Sequence, residues 1–284
     1  MYRILEREDL TDTIHVFKID APAVAKKAKP GQFVILRVSE EGERIPLTIA
    51  DFDRKAGTIT VVFMEVGKTT MEMAKLGVGD CLTNFAGPLG QPTEIEKFGR
   101  VVVVGGGFGV ATTYPIARAM KEAGNEVITI MGARNKDLLI WEDRMRSASS
   151  ELIICTDDGS LGRQGLVTAP LKEMLEAGVK VDRVVAIGPA IMMKFVALTT
   201  QPFGVHTVVS LNPLMVDGTG LCGACRVSID GHTKFACVDG PDFDGHQVDW
   251  DLLLSRQKIF VDEEKASLER WLHPHECQCS KAEA

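Results

Sequence analysis

The chain reads as two domains of different class followed by a short third region. A small antiparallel β domain is expected over residues 1–98. A doubly wound α/β domain with a parallel sheet is expected over 99–205, and a cysteine-bearing segment over 206–284. Three observations predict this order. β-branched runs broken by Pro, Gly and charge clusters fill the first hundred residues. From Arg100, continuous apolar stretches alternate with helical spacing, the pattern of a parallel sheet covered on both faces. Five of the seven cysteines lie after residue 220.

In the first domain TIHVFKI (13–19), GQFVILRV (31–38), PLTIAD (46–51) and TITVVFMEV (58–66) read as strands of a small sandwich or barrel. A short helix is expected from Thr69 to Lys75. In the second domain RVVVVGGG (100–107) is an apolar strand running into glycines. VATTYPIARAMKEAG (110–124) has helical spacing and a glycine C-cap. EVITIMGAR (126–134), ELIICTDDG (151–159) and VDRVVAIGPA (181–190) are further buried strands. No internal repeat or low-complexity linker interrupts the pattern.

Composition narrows the function. A net charge of −7 argues against nucleic acid or an anionic membrane surface as partner, since both ask for a basic face. The N-terminus MYRILEREDL is charged at nearly every third position, unlike a signal peptide, and no apolar run reaches about 18 residues. A cytoplasmic location is expected, where an odd number of cysteines reads as buried thiols and metal ligands rather than a disulfide framework. Cys81 and Cys155 lie in apolar stretches and are expected to be buried.

VVVVGGGFGVATTYP (101–115) has the form of a phosphate-binding turn. Its glycines admit the backbone to a pyrophosphate, and the next helix directs its N–H groups at the charge. It departs from the dinucleotide fingerprint at Val110, where G-x-G-x-x-G/A asks for a small residue; on its own the glycine run is a weak signal, with a tight strand–helix turn without ligand as the alternative. Gly105, Gly106, Gly107, Gly109, Ala111 and Pro115 resemble the nucleotide turn of the ferredoxin–NADP+ reductase superfamily. TDDGSLGRQGLVT (156–168), with Asp157 and Asp158, and IGPAIMMK (187–194), with Gly188 and Pro189, are similar to that family's later nucleotide loops. Ile187 stands where many members carry cysteine.

Members of that superfamily place a flavin-binding β-barrel first. RIPLTIAD (44–51) resembles their flavin motif in its proline variant, implying that Arg44, Pro46, Leu47 and Thr48 meet FAD. Arginine can pair bidentately with a phosphate or ring oxygen, and a threonine at a strand can hydrogen-bond the flavin edge. EVGKTT (65–70), through Gly67, Lys68, Thr69 and Thr70, offers a glycine turn and a helix start for the flavin pyrophosphate. Taken singly, each stretch is more often an ordinary strand or helix cap; together, and in the family's order, they favour a flavin.

DGTGLCGAC (217–225) carries the most specific signal. Cys222, Cys225 and Cys237 are spaced C-x2-C-x11-C, whereas plant-type 2Fe–2S ferredoxins use C-x4-C-x2-C and a distant fourth cysteine. Four residues back from Cys222 lies Asp217, so a carboxylate occupies the first ligand position. A 2Fe–2S cluster on Asp217, Cys222, Cys225 and Cys237 is expected. Zinc on the three cysteines with His232 or a tail residue, and a C-x-x-C redox disulfide, are the rivals. ACVDGPDFDGHQVDWDLLL (236–254) completes a resemblance over about residues 1–260 to electron-transfer subunits of two related assemblies. One is the dihydroorotate dehydrogenase electron-transfer subunit, where cysteine is usual at the first ligand position. The other is the small subunit of NADH-dependent reduced ferredoxin:NADP+ oxidoreductase (sulfide dehydrogenase), where aspartate occurs there.

The second resemblance implies a β-barrel flavin domain, a nucleotide domain and a small iron–sulfur domain. It further implies hydride exchange between NAD(H) and FAD, and one-electron exchange between FAD and the cluster. A larger flavin and iron–sulfur subunit is expected as partner, with ferredoxin reached through the complex. NAD(H) follows from the resemblance, although EVITIMGAR ends without the acidic residue that grips an NAD ribose and Arg134 could meet the phosphate of NADP. A zinc-stabilised, non-catalytic binding subunit is the alternative of a different class. HPHECQC (273–279) could bind metal but reads as a surface tail, and Trp250 and Trp271 are expected to pack against the domains.

Overall fold

The computed structural model describes residues 1–273. Seven antiparallel strands form the first sheet in the order β6-β1-β2-β5-β4-β3-β7. These are β1 (Tyr2–Asp9), β2 (Ile14–Asp20), β3 (Phe33–Arg37), β4 (Ile45–Asp53), β5 (Thr58–Met64), β6 (Cys81–Leu82) and β7 (Asn84–Leu89). Only Thr83 separates β6 from β7, so one stretch of chain pairs with β1 at one end and β3 at the other. The sheet is thereby bent into a near-closed barrel rather than a sandwich. Its interior holds Phe17, Ile19, Leu36, Ile49, Ile59, Val61, Phe63 and Leu82. Helix α1 (Pro22–Ala25) follows β2, and α2 (Lys68–Met73) follows β5, one residue earlier at its start than expected.

The second sheet runs β11-β10-β9-β8-β12-β13-β16. Its parallel strands are β8 (Arg100–Gly106), β9 (Glu126–Ala133), β10 (Glu151–Thr156), β11 (Arg163–Gln164), β12 (Arg183–Ile187) and β13 (Thr207–Ser210). Hairpin β14 (Arg226–Ile229) and β15 (His232–Phe235) stands apart, and β16 (Asp242–Asp244) returns antiparallel along β13. This sheet therefore continues past residue 205 and takes one strand from beyond the cysteine segment.

Alternate residues of β8 face opposite ways, as the period of two in a strand demands. Val101 and Val103 pack beneath α3 (Gly109–Glu122) and α4 (Glu142–Ala148). Val102 and Val104 pack beneath α5 (Thr168–Glu176), α6 (Ala190–Thr200) and α7 (Trp250–Arg256). The chain thus winds outward in both directions from β8 and β12, leaving a crevice at the carboxyl ends of these two neighbours. Open α/β sheets bind ligands at such a switch point. The core under α3 also contains Ile14, Val16, Ala50 and Val62 of the barrel, so the two domains share an apolar interface.

Residues 250–256 and 261–272 are helical. Trp250 is buried and its indole N–H donates to the Gly245 carbonyl at 3.0 Å. Helix α8 (Val261–Leu272) returns to the barrel, where Lys75 Nζ sits 4.0 Å above the Trp271 ring. Cys155 is buried as expected, while Cys81 is only half-buried because it lies on the short edge strand β6. Apart from His273, the tail HPHECQC lies outside the described residues. Among the described residues, no helix is long and apolar enough to cross a membrane.

Candidate functional site: a nucleotide crevice, a flavin strand and a cysteine loop

At the switch point the glycines of β8 serve close packing between two loops. A Cβ on Gly106 would run into Met192 Sδ, and one on Gly109 would stand 2.9 Å from the Ile187 carbonyl oxygen. Gly107 differs. It has φ +58 and nothing within 4 Å of where a Cβ would be, so its outer side is open at the start of α3. Its N–H is committed to the Gly132 carbonyl at 2.8 Å. Val110, the departure from the fingerprint, is buried with Ala111 against the sheet, and its Cα would lie 3.1 Å from a Cβ at Gly105. The bulk missing from Gly105 makes room for it. Gly188 and Pro189 lie beside this turn, with Pro189 capping α6.

Arg134, Asp157 and Asp158 are exposed at the ends of β9 and β10. The backbone N–H of Asp158 donates to the Arg134 carbonyl at 3.2 Å, which sets the two loops side by side. Asp158 Oδ1 accepts from the Ser160 hydroxyl at 2.6 Å and its N–H at 2.9 Å, and these bonds hold its carboxyl below the usual range. Asp158 thus shapes its own turn.

On the barrel, Arg44 is exposed just before β4, and Pro46, Leu47 and Thr48 are half-buried along it. In α2 the two hydroxyls are engaged with the protein. Thr70 Oγ1 accepts from the Gly67 N–H at 3.1 Å and donates to the Gly67 carbonyl at 3.0 Å. Thr69 is buried, and its hydroxyl donates to Glu43 Oε2 at 3.3 Å. They build the turn, which leaves Gly67, with open space at its Cα, as its accessible face.

The cysteine loop falls into two pairs. Asp217 accepts the N–H of Thr219 at 2.8 Å and that of Cys222 at 2.9 Å, and these donors, Thr219 foremost, lower its pKa. Cys225 and Cys237 are buried side by side at the open end of the β14–β15 hairpin, with the Cys237 N–H donating to Cys225 Sγ at 3.5 Å. An Asp230–Gly231 turn, both residues at positive φ, closes that hairpin. Burial, then the neighbouring Cys225, pushes the Cys237 thiol up to about 12. Among the described residues, no three His, Cys, Asp or Glu side chains form a group that could hold a metal ion. His232 is exposed at the turn end of the hairpin, and four strand positions, about 13 Å, separate it from the level of Cys225. The zinc arrangement using His232 does not fit this geometry. Two pairs do fit a binuclear cluster, which takes its ligands on two irons.

The loop is seated on the barrel. Cys225, Ala236, Cys237 and Met215 pack with Phe33 and Ile35 of β3. Those two residues are the register partners of Thr48 and Pro46 on β4. The linker after β7 fastens the same junction, where the Gln91 N–H and side-chain amide donate to the Gly240 and Val238 carbonyls at 2.6 and 2.9 Å. Phe33, Ile35 and Gln91 have no motif in the sequence. Alternation marks the first two only as strand residues.

A near-closed barrel, a doubly wound sheet and a cysteine segment on their junction define a flavin oxidoreductase subunit of the ferredoxin–NADP+ reductase superfamily. The fold is shared with the Neisseria gonorrhoeae ferredoxin NADP+ reductase solved with bound FAD and NADP. That structure has a TM-score of 0.61 and 20% identity over 72% of this chain and 90% of that one. Residues 212–249 match the iron-sulfur cluster binding domain of dihydroorotate dehydrogenase B. The Thermotoga maritima dihydroorotate dehydrogenase B (NAD(+)) electron transfer subunit homolog is 50% identical over 269 residues, covering 95% of each protein. A probable electron transfer subunit of the same enzyme from Methanocaldococcus jannaschii is 35% identical over 87% of this chain and 90% of that one. A chain of the NADH-dependent reduced ferredoxin-NADP oxidoreductase, a structure described for flavin-based electron bifurcation, superposes with a TM-score of 0.91. It has 48% identity over 96% of this chain and 98% of that one. This chain belongs to the family of dihydroorotate dehydrogenase B-type electron-transfer subunits.

Proposed function

We propose that the chain is the subunit at which NAD(H) exchanges electrons with a multi-subunit oxidoreductase. In this reading the crevice at Gly105–Gly109 and Gly188–Pro189 receives the nicotinamide nucleotide, with Arg134 and Asp157 at its outer end. Arg44 and β4 orient FAD, and the Gly67 turn meets its pyrophosphate. Asp217 with Cys222, and Cys225 with Cys237, hold the two irons of a 2Fe–2S cluster. When bound, the flavin supplies the conversion between a two-electron hydride and one-electron transfer. The protein's own part is to hold these groups in order. The observation that carries the reading is the seating of Cys225 and Cys237 on Phe33 and Ile35, one strand away from Thr48 and Pro46.

The partner would be a larger flavin and iron–sulfur subunit docked near the exposed Gly218–Gly223 loop, where Leu221 is 89% exposed, with ferredoxin reached through it. The purified chain is tested by iron, acid-labile sulfide and flavin analysis, followed by anaerobic titration with NADH and NADPH. Two irons and two sulfides per chain, one FAD and bleaching by NADH are expected. One zinc without sulfide or flavin overturns the reading, and a clear preference for NADPH overturns the choice of NAD(H). The names of the Thermotoga and Methanocaldococcus relatives favour a second reading, delivery to a dihydroorotate dehydrogenase subunit. The catalytic subunit that copurifies with the native chain, assayed with dihydroorotate and with ferredoxin plus NADP+, separates the two.

A further inference from the structure

Strand β4 starts with the flavin motif, and α3 starts with the nucleotide turn. At their far ends the two elements are joined by charge. Arg118 Nη2 donates to Asp51 Oδ1 at 2.8 Å, with the side chains 31% and 22% exposed. Arg144 of α4 brings Nη1 to 3.8 Å from Asp51 Oδ2. Both guanidinium groups are held by aromatic rings. Arg118 lies 5.1 Å from the Tyr114 ring centroid, and Arg144 lies 4.4 Å from that of Trp141.

A β-bulge creates this junction. Ile49 pairs with Val61 and Asp51 with Thr60, so Ala50 is an extra residue on β4. Ile49 packs inside the barrel, Ala50 packs outside against α3, and Phe52 packs with the barrel interior again. Without the bulge, alternation would turn Asp51 into the barrel. With it, Asp51 points outward beside Ala50, towards Arg118. Bulges commonly re-aim a side chain in this way.

Apolar packing does not fill this edge of the interface. A cavity of about 440 Å³ is lined by Asp51, Phe52, Arg54 and Arg118. Another of about 660 Å³ is lined by Phe52, Arg54 and Arg118. Arg118 borders both, and its ion pair with Asp51 ties α3 to β4 beside the apolar packing of Ala50 on that helix. Asp51 is three residues from Thr48, about 10 Å along the strand. Arg118 is nine residues from Gly109, about 13 Å along the helix.

We propose that Asp51 is a positioning residue for hydride transfer, setting through Arg118 and Arg144 the approach of the nicotinamide crevice to the flavin strand. The proposal rests on the function inferred above. Asp51 touches neither cofactor in that reading, and it acts by holding one domain against the other. A misplacement near 1 Å costs about a hundredfold in the reacting step, so a partial change of tilt is expected to cost about five- to thirtyfold.

The test uses the holo-protein and compares wild type with Asp51→Asn, Arg118→Gln, the double variant and Asp51→Glu. FAD and iron content, the limiting rate of flavin reduction in single turnover, its half-saturating NADH concentration and the long-wavelength charge-transfer absorbance are recorded. Asp51→Asn and Arg118→Gln are each expected to keep full FAD and iron, reduce flavin about five- to thirtyfold more slowly, and weaken the charge-transfer band. The double variant should be no slower than the worse single variant, since one interaction is removed twice. Asp51→Glu should recover most of the rate. An unchanged limiting rate in both single variants, deficits that multiply in the double variant, or loss of FAD from Asp51→Asn overturns the proposal. Wild type that NADH and NADPH both fail to reduce overturns the underlying functional reading, an outcome visible before any variant is compared.

Discussion

Replacing Gly218 by alanine probes whether the cysteine loop is seated on the barrel. Gly218 has φ +74, and a Cβ there would stand 2.7 Å from Leu89 Cδ1 and 2.8 Å from Ile35 Cγ1. The left-handed backbone costs an L-residue about 1–2 kcal/mol. Forcing a methyl group into the contact with β3 and β7 adds about 1–3 kcal/mol. Gly223 supplies the control. Its φ is +68, but a Cβ would meet only Phe235 Cε1 at 3.8 Å and Arg226 Nη1 at 4.0 Å, ordinary contacts. Gly223→Ala therefore carries the backbone cost alone. The difference of about 1–3 kcal/mol corresponds to about 5- to 150-fold in an equilibrium. Both variants are purified anaerobically, and the rate of iron loss to a chelator is followed alongside the thermal unfolding midpoint. Gly218→Ala should lose iron at least about fivefold faster than Gly223→Ala and unfold at the lower temperature. Equal behaviour of the two variants, or wild-type behaviour of Gly218→Ala, would refute the seating of the loop on Ile35 and Leu89.

Arg44→Ala should weaken FAD retention about 10- to 150-fold, the loss of one charge-assisted bond worth about 1.5–3 kcal/mol; full FAD after extensive dialysis removes Arg44 from the site. Burial raises the pKa of the Asp242 carboxyl, whose Oδ1 is sealed from solvent without a hydrogen-bond partner. Its contribution is therefore fully present below the unfolded value near 3.8 and is lost as pH rises through the raised folded value. Asp242→Asn keeps an acceptor for the Thr93 hydroxyl that donates to Oδ2, so it should need more urea to unfold than wild type at pH 7–8, with the gap closing towards pH 4; a gap that widens in acid contradicts this. With its thiol pushed up to about 12, Cys237 in the cluster-free protein should be alkylated far more slowly than exposed Cys222, and about tenfold faster for each pH unit between 8 and 10. Equal labelling at pH 8, read by mass spectrometry, would contradict the burial argument.

The barrel-then-sheet order, the switch-point glycines and the spacing of Asp217, Cys222, Cys225 and Cys237 were all legible in the sequence. Each depends on a local rule. Strand alternation, helical period, and a glycine wherever a backbone turns left or two loops touch are written within a few residues of where they act. Val110 is a local departure whose compensation, Gly105, lies only five residues away. What the tertiary structure decided involves residues far apart in the chain. That β16 joins the nucleotide-domain sheet, that Phe33 and Ile35 carry the cysteine loop next to β4, and that Asp51 meets Arg118 all depend on register. Register across a sheet is set by the summed packing of both faces and by single bulges such as that at Ala50. The hydroxyls of Thr69 and Thr70 make the same point from the other side. Their residue type suits a phosphate, but which partner a hydroxyl takes depends on what folding brings within 3 Å, and here that is Glu43 and Gly67. Sequence determines which groups the chain owns; long-range packing determines which of them meet.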